Sequence, residues 1–304
     1  MVSKTHPYFG QRIALASMHA KEQALVAPFR RVLGAEVVVA PALDTDELGT
    51  FTGEVPRPDA LVETCAMKAE LAFRSLDVDL ALANEGSYGP IDAVPFVPSG
   101  VEIMAFVDRR RGLKIVETLP THRTNWRLLR FRENDPNIEA AVKAIGFPRY
   151  GVFVLCSSDM AHPVKTGLDT LENVVAAMNR EARRSEDGMA VLIADMRAHR
   201  NPTRMKVLRA LGWKLAKRLE CLCPKCQAPG FGRIGNRRGL PCEACGNPTH
   251  WVDFEIDACS LCGHAETRPR KDGRRTAARL SCTVCHPRST SVSARRRAVG
   301  PDHP

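Results

Sequence analysis

Through the first 215 positions, short apolar runs alternate with stretches in which apolar residues return at helical spacing. The runs at 12–16 (RIALA) and 35–40 (AEVVVA) predict strands, with a helix over 21–33 between them. Leu61, Cys65, Lys68, Ala69 and Ala72 fall near helical spacing and predict a helix over 59–75. A short strand is expected at 80–83. Residues 102–107 and 113–118 read as a hairpin around DRRRG, where Gly112 is placed to take φ > 0. The irregular stretch 120–137, ending in NDPN, reads as a loop. After it come a helix at 138–145, a strand at 151–155, a helix at 168–184 and a strand at 189–194. A last helix at 203–219 runs into the first cysteine pair. Strands interleaved with helices predict an α/β fold, a mixed sheet flanked by helices.

Apolar residues make up 44% of the 304 and charged ones 26%, which permits a sizeable core and excludes wholesale disorder. Length suggests two domains. The basic excess is uneven. From position 216 on there are 16 Lys and Arg against 8 Asp and Glu, of 44 and 34 in the whole chain, leaving 28 against 26 for the first 215. Nine of the eleven cysteines share that basic stretch. The expected organisation is an α/β domain with a ligand cleft over 1–215, a tandem zinc-ribbon module over 216–288 and a disordered basic tail over 289–304. The N-terminus has no apolar run fit for a signal peptide, and no stretch approaches the ~18 apolar residues of a membrane span. The expectation is a cytoplasmic protein with no membrane partner, in which paired cysteines read as metal ligands before disulfides.

Four C-x2-C pairs occur: Cys223/Cys226, Cys242/Cys245, Cys259/Cys262 and Cys282/Cys285. In order they give C-x2-C-x15-C-x2-C and C-x2-C-x19-C-x2-C, both within zinc-site spacing. Each knuckle offers two thiolates, and two knuckles close a tetrahedron, so two structural zinc ions are expected. Redox thiols would need one catalytic pair, and eight evenly paired cysteines do not look like that. Sequential pairing is the favoured order. The alternative joins Cys242/Cys245 with Cys259/Cys262 and leaves the outermost pairs together. Cys221 reads as a spare, and Cys65 and Cys156 as buried small hydrophobes. The arginines between the knuckles suit phosphate contacts with nucleic acid, or else keep a small module soluble.

Four polar segments follow predicted strands. ASMHAKE places Ser17, His19 and Lys21 at a helix N-terminus, where anions are favoured. DTDELGTFTGE crowds Asp44, Asp46, Glu47 and Glu54 among Thr45, Thr50 and Thr52. NEGSYGP offers Glu85 with Gly86 and Gly89. ADMRAHRNPTRM carries Asp195, Arg197, His199, Arg200, Asn201 and Arg204. Singly, each has a plainer reading as a cap, a turn or a salt bridge. Together, at the carboxyl ends of several strands, they mark a candidate ligand site.

These segments, with PGFG…GLPC…CGNPT downstream, resemble an uncharacterised bacterial domain-of-unknown-function family across nearly the whole chain. More distantly, residues 12–89 resemble the opening of the inosine-triphosphate-pyrophosphatase-like fold. The points of likeness are Ser17 and Lys21 after the first strand, a Thr/Gly/acidic loop, the Lys68-Ala69 pair, the Glu85-Gly86 turn, and later His199 and Arg200. That resemblance implies magnesium-assisted hydrolysis of a nucleoside triphosphate, with Lys21 holding phosphates and Glu54 and Glu85 holding the metal. Glu54, Glu85, Lys21 and Asp195 are then the candidate catalytic residues. The ligand-binding candidates are Ser17, His19, Asp44, Asp46, Thr50, Thr52, Arg197, His199, Arg200, Asn201 and Arg204. Ala198 stands where that family has Ser, and the second turn carries the lone Glu85. The competing functions are a non-catalytic zinc-ribbon protein binding nucleic acid and a zinc-stabilised scaffold for a protein partner.

Overall fold

The computed structural model describes residues 5–40, 61–91, 94–164 and 166–286. The chain divides into two compact units, Met1–Gly230 and Phe231–Pro304. The loop DTDELGTFTGE, with Asp44, Asp46, Thr50, Thr52 and Glu54, lies outside the described residues, as does the tail 289–304.

In the first unit, β1 (Arg12–Leu15), α1 (Glu22–Leu33), β2 (Glu36–Val39), α2 (Leu61–Ser75), β3 (Leu80–Ile91), β4 (Val94–Asp108) and β5 (Leu113–Thr121) come first. Their strands form one mixed sheet in the order β2-β1-β3-β4-β5. Strand β1 is parallel to β2 and β3, and β3, β4 and β5 are antiparallel neighbours. Period-two alternation decides which helix covers which face. Ile13, Leu15, Leu80, Leu82, Met104 and Phe106 form a large-residue face packed on α1 and on α5 (Pro202–Glu220). Ala14, Ala81, Ala83 and Ala105 form a small-residue face that lets α2 sit close through Cys65, Ala69 and Ala72.

A second sheet follows, built from β6 (Leu128–Arg132), β7 (Val152–Cys156), β8 (Asp159–Val164) and β9 (Met189–Ala194) in the order β6-β9-β7-β8. Helices α3 (Ile138–Ile145) and α4 (Leu171–Arg184) pack on it through Val142, Ile145, Val174 and Met178. Thr170 caps α4 by accepting from the Asn173 N–H, and Asn201 caps α5 by accepting from Arg204 N–H with Pro202 in the first turn.

Three expectations change. Strand β3 does not stop at 83: NEGSYGP is strand, because β4 pairs with it from Leu80↔Asp108 to Pro90↔Pro98. The stretch 120–137 is not all loop, since LLRFR forms the edge strand β6 beside β9. Strand β8 was not foreseen; DMAHPV is polar, largely exposed and interrupted by Pro163, as an edge tolerates. The strands carrying the polar segments also lie in two sheets rather than one.

Helix α5 runs to Glu220, and the next residues stay with the first unit. Leu222 bridges Pro229, and Arg218 Nε donates to Gly230 O (3.2 Å). The second unit holds a three-stranded antiparallel sheet of β10 (Gly232–Arg238), β11 (Val252–Ala258) and β12 (Ala265–Pro269). No helix among the described residues is long and apolar enough to cross a membrane.

Candidate metal centre and buried charge cluster

The cysteine knuckles share one local design. The N–H of Cys223, Cys242 and Cys259 donates to the carbonyl of Ala228, Asn247 and His264 at 2.8, 2.8 and 2.9 Å. The carbonyls of the same three accept from the N–H of Gln227, Gly246 and Gly263, and Cys282 O accepts likewise from His286. Gln227, Gly246 and Gly263 all sit at positive φ (59°, 72° and 71°), which is why glycine closes CEACG and CSLCG.

The sulfurs gather in two groups, Cys223, Cys226, Cys259 and Cys262, and Cys242, Cys245, Cys282 and Cys285, each within 4.8 Å of one another. The knuckles therefore interleave, first with third and second with fourth, which corrects both the sequential and the nested pairing. The ribbon sheet explains it. Register Gly232↔Ala258 sets the start of β10 beside Cys259, while Ala277 N–H donates to Pro241 O (2.8 Å) and holds the fourth knuckle's approach beside Cys242.

The geometry fits zinc. Tetrahedral thiolates at ~2.3 Å from the metal stand about 3.8 Å apart, and Cys242–Cys285 and Cys245–Cys282 are separated by 3.9 and 3.6 Å. Asn247 Nδ2 donates to Cys245 Sγ (3.3 Å), and with the Asn247 backbone it draws that thiol below its ordinary pKa. Cys221 stands outside both groups, its thiol donating to Lys217 O. Cys65 and Cys156 are buried; burial and Glu85 push the Cys65 thiol up to about 12.

In the first unit the sheet encloses a charge network. Arg204, fully buried, donates from Nε to Glu102 Oε1 (2.6 Å) and from Nη1 to Met196 O (2.7 Å). Glu102 also accepts from the Tyr88 hydroxyl (2.7 Å) and from Asn84 Nδ2 (2.8 Å). Burial and Glu102 push the Tyr88 hydroxyl far above its usual pKa, so it stays a donor. Beside this network Lys68 pairs with Glu85, both buried, and Lys21 Nζ donates to Asn84 O (3.3 Å).

The glycines of NEGSYGP are explained here. Gly86 lies opposite Glu102, and a Cβ on it would stand 2.5 Å from Glu102 Oε1. Tyr88 lies across Gly100, its partner in register. Gly86→Ala is expected to cost about 1–3 kcal/mol by overpacking, read as a lower urea midpoint, whereas Gly89→Ala, with nothing near its Cβ, should leave the midpoint almost unchanged.

The structure thus brings Lys21, Glu85 and Arg204 together. Asp195 and Arg197 lie past β9 and engage each other, with Arg197 Nη2 2.8 Å from Asp195 Oδ2 and its guanidinium over Phe153. They line a cleft of about 380 Å³ with Asp169, His199 and Arg200. His19 reaches the same region, its ring centroid 5.1 Å from that of His199. Burial, His19 and Arg197 lower the His199 pKa. Ser17 Oγ accepts from His19 N–H and does not cap α1. Asn201 Nδ2 donates to Asn125 Oδ1 and Asp195 O, so its polar atoms hold backbone and cap. Sequence reasoning missed Glu102 and Tyr88. The signal was a carboxylate inside the apolar strand VEIMAFVD, where an uncompensated charge is costly.

An α/β unit with an internal charge network, followed by two four-cysteine groups of metal-binding geometry, is the class of protein these features define. The chain belongs to the family described as Domain of unknown function (DUF6671), whose model matches residues 68–287. That span takes in Lys68, NEGSYGP, DMRAHRNPTRM and all eight paired cysteines. No curated protein matches the chain.

Proposed function

We propose that the first unit binds a phosphorylated small molecule, a nucleotide above all, and that each four-cysteine group holds a structural zinc ion in a reducing, cytoplasmic setting. Lys21 carries the first part. Its ammonium is buried, donates to one backbone carbonyl, and among the described residues forms no ion pair. Burial, with the cations of Arg204 and Lys68 nearby, lowers its pKa to about 8. Glu85 and Glu102 offset two of the three cations Lys21, Lys68 and Arg204, and a phosphate supplies the remaining counter-charge. His199 and Arg200, reached through the His19 contact, line room for the rest of the ligand. The resemblance of Lys21, Lys68 and Glu85 to pyrophosphatase positions supports the same ligand class.

Magnesium does not fit the described residues. Glu85 faces Lys68, Glu102 faces Arg204, and only cysteines bring three or more ligand atoms together.

Thermal shift with nucleoside triphosphates, with and without magnesium, tests the reading, and pyrophosphate release tests turnover separately. The parent's midpoint should rise with ligand and that of Lys21→Met should not; equal shifts in both, or none in the parent, overturn the proposal. Affinity should fall as pH rises through about 8 and Lys21 loses its proton. Without ligand the sign is opposite. The folded pKa lies below the ordinary lysine value of 10.5, so the unfolded state binds more protons between about 8 and 10.5. The parent should gain stability on the order of 3 kcal/mol across that window, and Lys21→Met should show no such gain.

A further inference from the structure

The cations of the second unit fall into two sets. On the sheet, Arg233 pairs with Glu255 (2.6 Å), Arg237 with Asp253 (3.9 Å) and Arg268 with Asp257 (3.0 Å). These are cross-strand pairs, each arginine offset by a carboxylate on β11. Arg238, Lys271, Arg274, Arg275 and Arg279 form no ion pair among the described residues, while Arg270 pairs with Asp272.

Arg238 and Arg274 lie at one end of the sheet, around Trp251, and Lys271 follows Arg270 in the same turn. Register Arg238↔Val252 places Arg238 at the start of β11, where its Nη1 donates to His250 O (3.4 Å). The guanidinium of Arg274 stands 5.5 Å from the Trp251 ring centroid, and that of Arg270 5.8 Å. Arg270 is fixed in place by Val252 O (2.8 Å) and Asp272. Trp251 keeps 36% of its surface exposed, although a tryptophan of a small module ordinarily buries more. Beside it opens a cleft of about 390 Å³ lined by Arg238, His250, Leu280, Thr283 and His286.

We infer that this end of the second unit binds single-stranded nucleic acid, with one base stacked on Trp251 and the flanking phosphates met by Arg238, Lys271 and Arg274. A part-exposed indole beside Arg238 and Arg274, two cations without an ion pair, is the combination that stacking recognition with phosphate contact requires. Duplex phosphates alone would not call for the indole, because a paired base hides its face in the helix stack. The competing use of these cations is to offset the net double negative charge of a four-thiolate zinc site at Cys242, Cys245, Cys282 and Cys285.

Fluorescence anisotropy of the full zinc-loaded chain, with a labelled 20-nucleotide single strand and the matching duplex, separates the two. The single strand should bind more tightly than the duplex. Trp251→Ala should weaken it about 5- to 100-fold, as loss of one stacked base does, while Trp251→Phe retains most of the affinity. Lys271→Ala with Arg274→Ala should reduce the slope of log K against log [salt] by about 1.4, two contacts at ~0.7 each. Zinc content, measured on every variant, should stay at the parent's value. The inference is overturned by no single-strand binding at 50 mM salt, by unchanged affinity in Trp251→Ala, or by equal affinity for the duplex. Loss of zinc in the Lys271/Arg274 variant with affinity otherwise intact assigns those cations to the thiolate site and also overturns it.

Discussion

Protein purified reduced and without chelator is expected to carry two zinc ions per chain, and Cys242→Ser to carry one. Folding and metal binding are one process in so small a module, and structural zinc contributes about 10–16 kcal/mol in comparable units. Chelation should therefore open residues 221–286 to protease, the first knuckle included, while the sheets and helices of the α/β unit stay resistant. The interleaved grouping predicts which double variants lose what. Cys242→Ser with Cys282→Ser removes two ligands of one group and should leave one zinc bound. Cys242→Ser with Cys259→Ser strikes both groups and should leave none. Sequential pairing requires the first of these variants to lose both ions. Cys65→Ala and Cys221→Ser lie outside the groups and should keep two. One zinc or none in the parent would refute the assignment.

The next largest effect is expected at Glu102. Its carboxylate takes hydrogen bonds from Arg204, Tyr88 and Asn84 in a site closed to water. Glu102→Ala leaves the Arg204 guanidinium buried without its counter-charge, at a cost of about 3–5 kcal/mol. Arg204→Met with Glu102→Met removes both charges and should recover much of that loss, because the desolvation of two ions disappears with them. Urea unfolding of the single and double variants measures this directly. Equal destabilisation in the single and double variants would show that the charges matter less than the shape they fill.

The elements packed on their own sheets were legible from residue pattern, and those defined by distant partners were not. Helix α3 runs over the residues expected of it, and α1, α4 and β9 lie close to the predicted bounds, because amphipathic spacing is a local property. NEGSYGP has the composition of a turn, and only the register against β4, with Glu102 folded over Gly86, makes it strand. Knuckle spacing announces metal ligands but is nearly degenerate with respect to grouping. The order of β10, β11 and β12 decides it, and that order is not written in the cysteines. Lys21 and Glu85 were recognisable as site candidates, whereas their neighbours Glu102 and Tyr88 looked like ordinary strand residues.

The first turn of α5 touches both sheets of its unit at once. Arg204 holds Glu102 on β4 and Met196 O past β9, and Asn201 holds Asp195 O on the same side. A sliding or hinging of one sheet against the other would have to expose a buried guanidinium, so the inexpensive excursions are confined to edges such as β8. Amide hydrogen exchange should then show the central strands of both sheets opening together, in one slow cooperative step with a shared free energy, while β8 exchanges early.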